Sequence, residues 1–148
     1  MSVFTPRFEG WRERVELSFR SQPLMQFIGA NITDIKPGAV ALELPKKDGL
    51  LQQHGFFHGG IISSIADVAA GWSALSLMAE DTGVLTAEFK LNLLNPGEGD
   101  LLLARGVVLK PGRMLTVVQS DVYCLNENSE VHVATGLFTM VGKQGLTL

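Results

Sequence analysis

Among 148 residues there is one cysteine, Cys124, one tyrosine and three histidines. A lone cysteine cannot close an internal disulfide, so the chain makes no case for a secreted, disulfide-stapled scaffold. Positive charge is also scarce, with 12 Lys and Arg against 15 Asp and Glu for a formal charge of −3. A nucleic-acid binder needs a basic face for phosphates, and that class is excluded. The N-terminus runs Arg7, Glu9, Arg12, Glu13, Arg14, Glu16 without an apolar core, which is not a signal peptide, and the cytoplasm is the expected compartment. Linkers, repeats and low-complexity segments are missing too. One domain, 1–148, is therefore expected, and a composition 46% hydrophobic and 18% charged can fill its core.

What is present begins with an apolar run, Gly59–Ala79, long enough to raise the question of a membrane span. Asp67 near its middle would cost about 2.5–3.5 kcal/mol, against about 0.3–0.6 returned by each strongly apolar residue. Four serines and three glycines leave no surplus, so no membrane partner is expected and the run reads as a buried helix. Apolar residues cover nearly its whole circumference, so it has no solvent face and must be wrapped. Its small residues, among them Ser63, Ser64, Ala66, Ala69, Ala70, Gly71, Ser73 and Ala74, let a sheet come close.

Around it the pattern predicts an amphipathic helix over 7–20, with Phe8, Trp11, Val15 and Phe19 at helical spacing. Pro23 opens a short helix that Gly29 ends. Strands are predicted at 31–35 and 39–44, joined by Pro37-Gly38, and at 85–94, 101–109, 115–124 and 131–141. Short turns at Asn95-Pro96-Gly97, Lys110-Pro111-Gly112 and Asn126-Glu127-Asn128 make successive strands antiparallel neighbours. The class is α+β: an antiparallel sheet wrapped around one long central helix, the hotdog architecture, with an N-terminal helical segment. Such a sheet keeps exposed edges, and a homo-oligomer, a dimer or a dimer of dimers, is the natural cover.

Asp67 stands in a helix otherwise nearly free of charge. A buried carboxylate needs a partner or a raised pKa. It either bonds Ser63 or Ser64 one turn back, or is held partly desolvated as a general base or nucleophile; no stability argument favours Asp over Ala there, so we take the second reading. His58-Gly59-Gly60 opens the same helix and sets bare N–H groups at its positive end, where an oxyanion can be held. Gly59 and Asp67 are eight residues apart, about 12 Å along the axis at 1.5 Å per residue. One carbonyl cannot reach both, so if both act they come from two subunits.

The segment Gln52-Gln53-His54-Gly55-Phe56-Phe57-His58-Gly59-Gly60, followed by Asp67 and Ala70, resembles the signature of the PaaI-like hotdog thioesterases. The likeness runs from Pro23–Gly29 through Asn95-Pro96 to the last strand. It implies hydrolysis of acyl-coenzyme A thioesters. By the resemblance, Asp67 activates water or attacks the thioester, Gly59 N–H polarises the carbonyl, Gln52 assists where the family often has Asn, and Thr86 orients the nucleophile. His58 completes the site by bonding backbone and shaping the loop. The Lys110-Pro111-Gly112-Arg113 turn is implied to meet coenzyme A phosphates, with Lys90 able to add charge. Gly60, Phe57, Lys110, Gly112 and Arg113 are thus the expected substrate-binding residues, and Phe56, Trp72 and Met25 further candidates for an acyl pocket.

His54 and His58 have a spacing that could bind metal on a helix, but Gly55, Gly59 and Gly60 argue against a helix there and no Cys or carboxylate completes a set. No metal and no cofactor is expected. His132 reads as structural, and Cys124 lacks the His and acid of a thiol nucleophile. Two rivals remain: a non-catalytic acyl-CoA-binding module, and a hotdog dehydratase, which needs a histidine paired with the helix acid. The acyl group is not legible in the pattern.

Overall fold

The computed structural model describes residues 4–148. Helix α1 spans Trp11–Ser21 and buries Val15 and Phe19, while α2 spans Pro23–Ile28 and buries Met25 and Ile28. The first helix starts four residues later than its apolar spacing suggests. Phe8 instead folds back, with the Arg14 guanidinium 4.6 Å above its ring, and Gly10 takes the capping position. Gly29 ends α2 with φ 84°, a left-handed conformation that glycine adopts without strain.

Strands β1 (Asn31–Lys36) and β2 (Ala39–Pro45) form a hairpin, and the long helix α3 covers Gly59–Leu75. Four strands follow: β3 (Thr82–Leu93), β4 (Leu101–Pro111), β5 (Leu115–Asn126) and β6 (Ser129–Gln144). All pair antiparallel in one six-stranded sheet of order β1-β2-β4-β5-β6-β3. This is the hotdog architecture, with α3 against the inner faces of β2 to β6. No helix of the described residues is long and apolar enough to cross a membrane.

One expected adjacency is wrong. The turn at Asn95-Pro96-Gly97 does not join neighbouring strands, because β3 pairs with β6 at the end of the sheet and β4 lies between β2 and β5. The link instead crosses the end of the β5–β6 hairpin: Leu94 N–H donates to Val133 O at 2.8 Å and Asp100 N–H to Leu125 O at 2.9 Å. With these bonds satisfied, a Pro-Gly loop can pass over strands as easily as it can reverse one.

From Val68 to Met78 every residue of α3 and its following turn is buried. The helix approaches the sheet tightly at Gly106 on β4, where an added Cβ would lie 2.4 Å from Ala69 O. Two buried serines tie the helix to the β1–β2 hairpin. Ser73 Oγ accepts Val40 N–H at 2.9 Å and donates to Ala69 O at 2.7 Å, and Ser76 Oγ accepts Gly38 N–H at 2.8 Å. The helix stops at Leu75, short of Ala79. Arg14 takes its orphan carbonyls, donating through Nη2 to Leu75 O at 2.6 Å and Met78 O at 2.8 Å and through Nη1 to Ala79 O.

Candidate active site

Asp67 sits two turns into α3 on a partly exposed stripe. Thr86 comes from β3, just before a bulge at Ala87 that breaks the register between Thr86↔Met140 and Glu88↔Thr139. Its Oγ1 donates to Asp67 Oδ1 at 2.7 Å. The serines one turn back do not compete, since Ser63 and Ser64 donate to Gly59 O and Gly60 O, each at 2.8 Å. Asp67 therefore has one neutral partner and no ion pair among the described residues. Burial pushes its pKa above the ordinary 3.8, and the Thr86 hydrogen bond only partly opposes this. The result is a carboxylate that is a stronger base than usual and is held by one oxygen.

Asp67 and Thr86 share the wall of a cavity of about 620 Å³ between α1, α3, the start of β3 and the last residues of the chain. Trp72 lines it. Met25 and Phe57, also considered for an acyl pocket, are in the core instead, Phe57 packed against Gly97 and Ile62. Arg14, Leu17, Val84 and Leu146 form walls that no sequence motif marked. Arg14 did leave a trace, because it follows Trp11 by three residues and so lies on the inner flank of the α1 apolar stripe.

The second group of expected residues gathers elsewhere. Gly55, at φ 84°, turns the loop back so that Gln52 N–H donates to Phe56 O at 2.9 Å. The Gln52 side-chain oxygen accepts His54 N–H, which leaves its NH₂ donors unpaired among the described residues. His58 is the helix cap: its Nδ1 accepts Gly60 N–H at 2.8 Å. Ile61 and Ile62 N–H both donate to His58 O, so Gly59 N–H is left without a partner among the described residues. Leu93 Cδ1 would lie 3.1 Å from a Cβ at this position. None of Gln52, His58, Gly59 or Gly60 lines the cavity that holds Asp67.

The turn at 110–113 forms a third group. Lys110 and Arg113 are exposed and carry no ion pair among the described residues, and Gly112 is needed there because a Cβ would come 2.0 Å from Leu115 O. Lys90 lies exposed on β3. The remaining titratable candidates do other work. His132 bonds Asp121 at 2.9 Å and stacks on Tyr123. Cys124 is buried, and its thiol is pushed up to about 11, unsuited to a nucleophile.

Comparison with known proteins agrees with this fold. Residues 54–130, just over half of the chain, match the family model of the thioesterase superfamily, and the chain belongs to that family. A thioesterase family protein from Silicibacter pomeroyi is 44% identical, with 92% of this chain and 100% of that one covered and a TM-score of 0.90. A Streptococcus mutans protein solved with acetyl-CoA bound is 28% identical over 78% of this chain and 89% of that one, at a TM-score of 0.68. The E. coli PaaI protein shares the fold at a TM-score of 0.80, with 18% identity and coverage of 91% and 94%.

Proposed function

We propose that this protein hydrolyses acyl-CoA thioesters, with Asp67 as general base or nucleophile. The observation that carries the reading is the Asp67–Thr86 bond in a cavity wall: a desolvated carboxylate with a raised pKa, fixed by a neutral donor. In the base route, Asp67 takes a proton from water as the water oxygen bonds to the thioester carbonyl carbon. The carbonyl oxygen becomes an oxyanion, held by Gly59 N–H and the Gln52 amide. The C–S bond then breaks, the CoA thiolate leaves and takes the proton from Asp67, and the acid is released. In the nucleophile route, Asp67 attacks the carbonyl carbon and the C–S bond breaks as CoA leaves as thiolate. Water then cleaves the mixed anhydride, which releases the acid and restores the carboxylate.

Gly59 belongs to a second copy of the chain in this reading. Supporting this, Gly59 and Asp67 lie eight residues apart on α3, about 12 Å along its axis. β3, twelve residues long, also presents an edge that is unpaired among the described residues, with Leu85, Phe89 and Leu93 exposed by 49%, 43% and 56%. A sheet edge of that length and apolarity calls for a partner strand, whereas the other edge, β1, is half as long and more polar. The bound acetyl-CoA of the Streptococcus mutans relative favours coenzyme A as the thiol. Against a dehydratase, no histidine meets Asp67 among the described residues.

Release of free thiol from a panel of acyl-CoAs tests the proposal. Turnover by the wild-type protein and its loss in Asp67→Asn are expected. A pure, folded protein that binds acyl-CoAs but cleaves none would instead be a binding module.

A further inference from the structure

Gly71 is an unexpected residue for its position. It lies inside α3, in ordinary helical conformation, and glycine is the poorest helix former after proline. Neither backbone nor packing asks for it. Gly106 must be glycine because a Cβ there would strike the helix, but a Cβ at Gly71 would meet only Val84 Cγ1, at 4.0 Å, an ordinary contact. What the missing side chain leaves open is the cavity.

The position of Gly71 gives that space a direction. Asp67, Gly71 and Leu75 follow one another at intervals of four residues on one face of α3, and all three line the cavity. Thr86, Val84 and Thr82 alternate along β3, also line it, and pair regularly with Met140, Gly142 and Gln144. One helical step of four residues rises about 6 Å, and one strand step of two residues about 6.6 Å. The two rows therefore stay level: Asp67 with Thr86, Gly71 with Val84, Leu75 with Thr82. Trp72 and Leu17 add apolar wall, with Trp72 held by Phe19 in an edge contact at 5.9 Å. Arg14, bonded to Leu75 O, and Glu80 bring charge to the lining.

We infer that the space between these rows is the acyl channel, that it takes an extended apolar acyl group running about 12 Å beyond Asp67, and that Gly71 with Val84 sets the length admitted. This rests on the hydrolytic reading above and adds the substrate class. The acyl chain leaves the thioester carbonyl at Asp67, passes over Gly71, and ends near Leu75. A short acyl group leaves the channel unfilled and gains nothing from its walls.

The test is kcat/KM over the saturated series from acetyl- to decanoyl-CoA, for wild type, Gly71→Ala, Gly71→Leu and Val84→Phe. Wild type should favour octanoyl- and decanoyl- over acetyl-CoA. Gly71→Leu and Val84→Phe, which narrow the channel from opposite sides, should each lower kcat/KM for decanoyl-CoA by roughly ten- to a hundredfold. Each should lower kcat/KM for acetyl-CoA at least roughly tenfold less than for decanoyl-CoA, because an acetyl group does not extend as far as Gly71. Gly71→Ala, a better helix former, should raise the melting temperature and lower only the longest substrates. If Gly71→Leu does not fold, Val84→Phe and Gly71→Ala carry the test. Hydrolysis by wild type with all chain lengths affected equally in the variants overturns the channel and leaves the hydrolytic reading standing. No hydrolysis of any acyl-CoA by wild type overturns both.

Discussion

Thr86 Oγ1 donates a hydrogen bond of 2.7 Å to Asp67 Oδ1, joining an edge strand to the central helix across nineteen residues of sequence. The hydroxyl is neutral, so it orients the carboxylate without the strong pKa depression that an arginine or lysine would cause. Because one oxygen is taken, the other is the one that faces chemistry. Two of the predictions follow from this pair.

Replacing Asp67 by Asn should lower turnover by about 10²–10⁴ if the carboxylate is the general base. The same change should stabilise the fold at neutral pH. The folded-state pKa lies above the unfolded 3.8, so the folded state binds more protons and wild-type stability falls as pH rises above 3.8. Asn does not carry that penalty. Melting curves should show the gap between Asp67→Asn and wild type wider at pH 7 than near pH 3. Unchanged turnover in the folded variant would remove Asp67 from the mechanism.

Thr86→Val removes the one interaction that lowers the Asp67 pKa, so that pKa should rise further. The carboxylate must be ionised to act, and activity is lost as pH falls through its pKa. The acid limb of the kcat/KM profile should therefore move to higher pH in Thr86→Val and return in Thr86→Ser. A rate loss with an unmoved profile would mean that Thr86 serves the fold alone.

Two inactive variants, Asp67→Asn and a Gln52→Ala/Gly59→Val pair, should complement when folded together. One site of the mixed dimer inherits both defects and the other is intact, so about half the wild-type rate should return if the sites are independent. Purified mixed dimers that stay inactive, each parent being folded and dimeric, would show that Gly59 and Asp67 do not serve one thioester.

Arg113 is exposed and carries no ion pair among the described residues, which leaves its fork free for a phosphate. Arg113→Ala should raise KM for acyl-CoA with little change in kcat, the sign of uniform binding. A truncated thioester without the nucleotide should be nearly unaffected. Equal losses on both substrates would make Arg113 a structural residue of its turn.

Local pattern alone was enough for several features. Apolar periodicity showed the helix that must be wrapped, turn residues separated six strands, and a charge in an apolar run singled out Asp67. The His58-Gly59-Gly60 cap was equally legible, because capping depends on residues within one turn of each other. These signals are short in range, and so is the physics behind them.

Strand order, by contrast, depends on which hydrophobic faces meet across the whole chain. The Asn95-Pro96-Gly97 turn reads as a hairpin, yet β6, long enough to pair with both β5 and β3, takes the place beside β3 and sends the link across to β4. The cavity was hidden for the same reason: Arg14 and Leu17, Gly71 and Leu75, Val84 and Leu146 come from four separate stretches of sequence. The sequence by itself determined the elements and the reactive carboxylate, since propensity, capping and burial of a charge act within a few residues. Thr86 as the partner of that carboxylate was legible through the family resemblance and not through local pattern. Only the tertiary structure decided what space opens beside the pair, because it arises where distant segments pack.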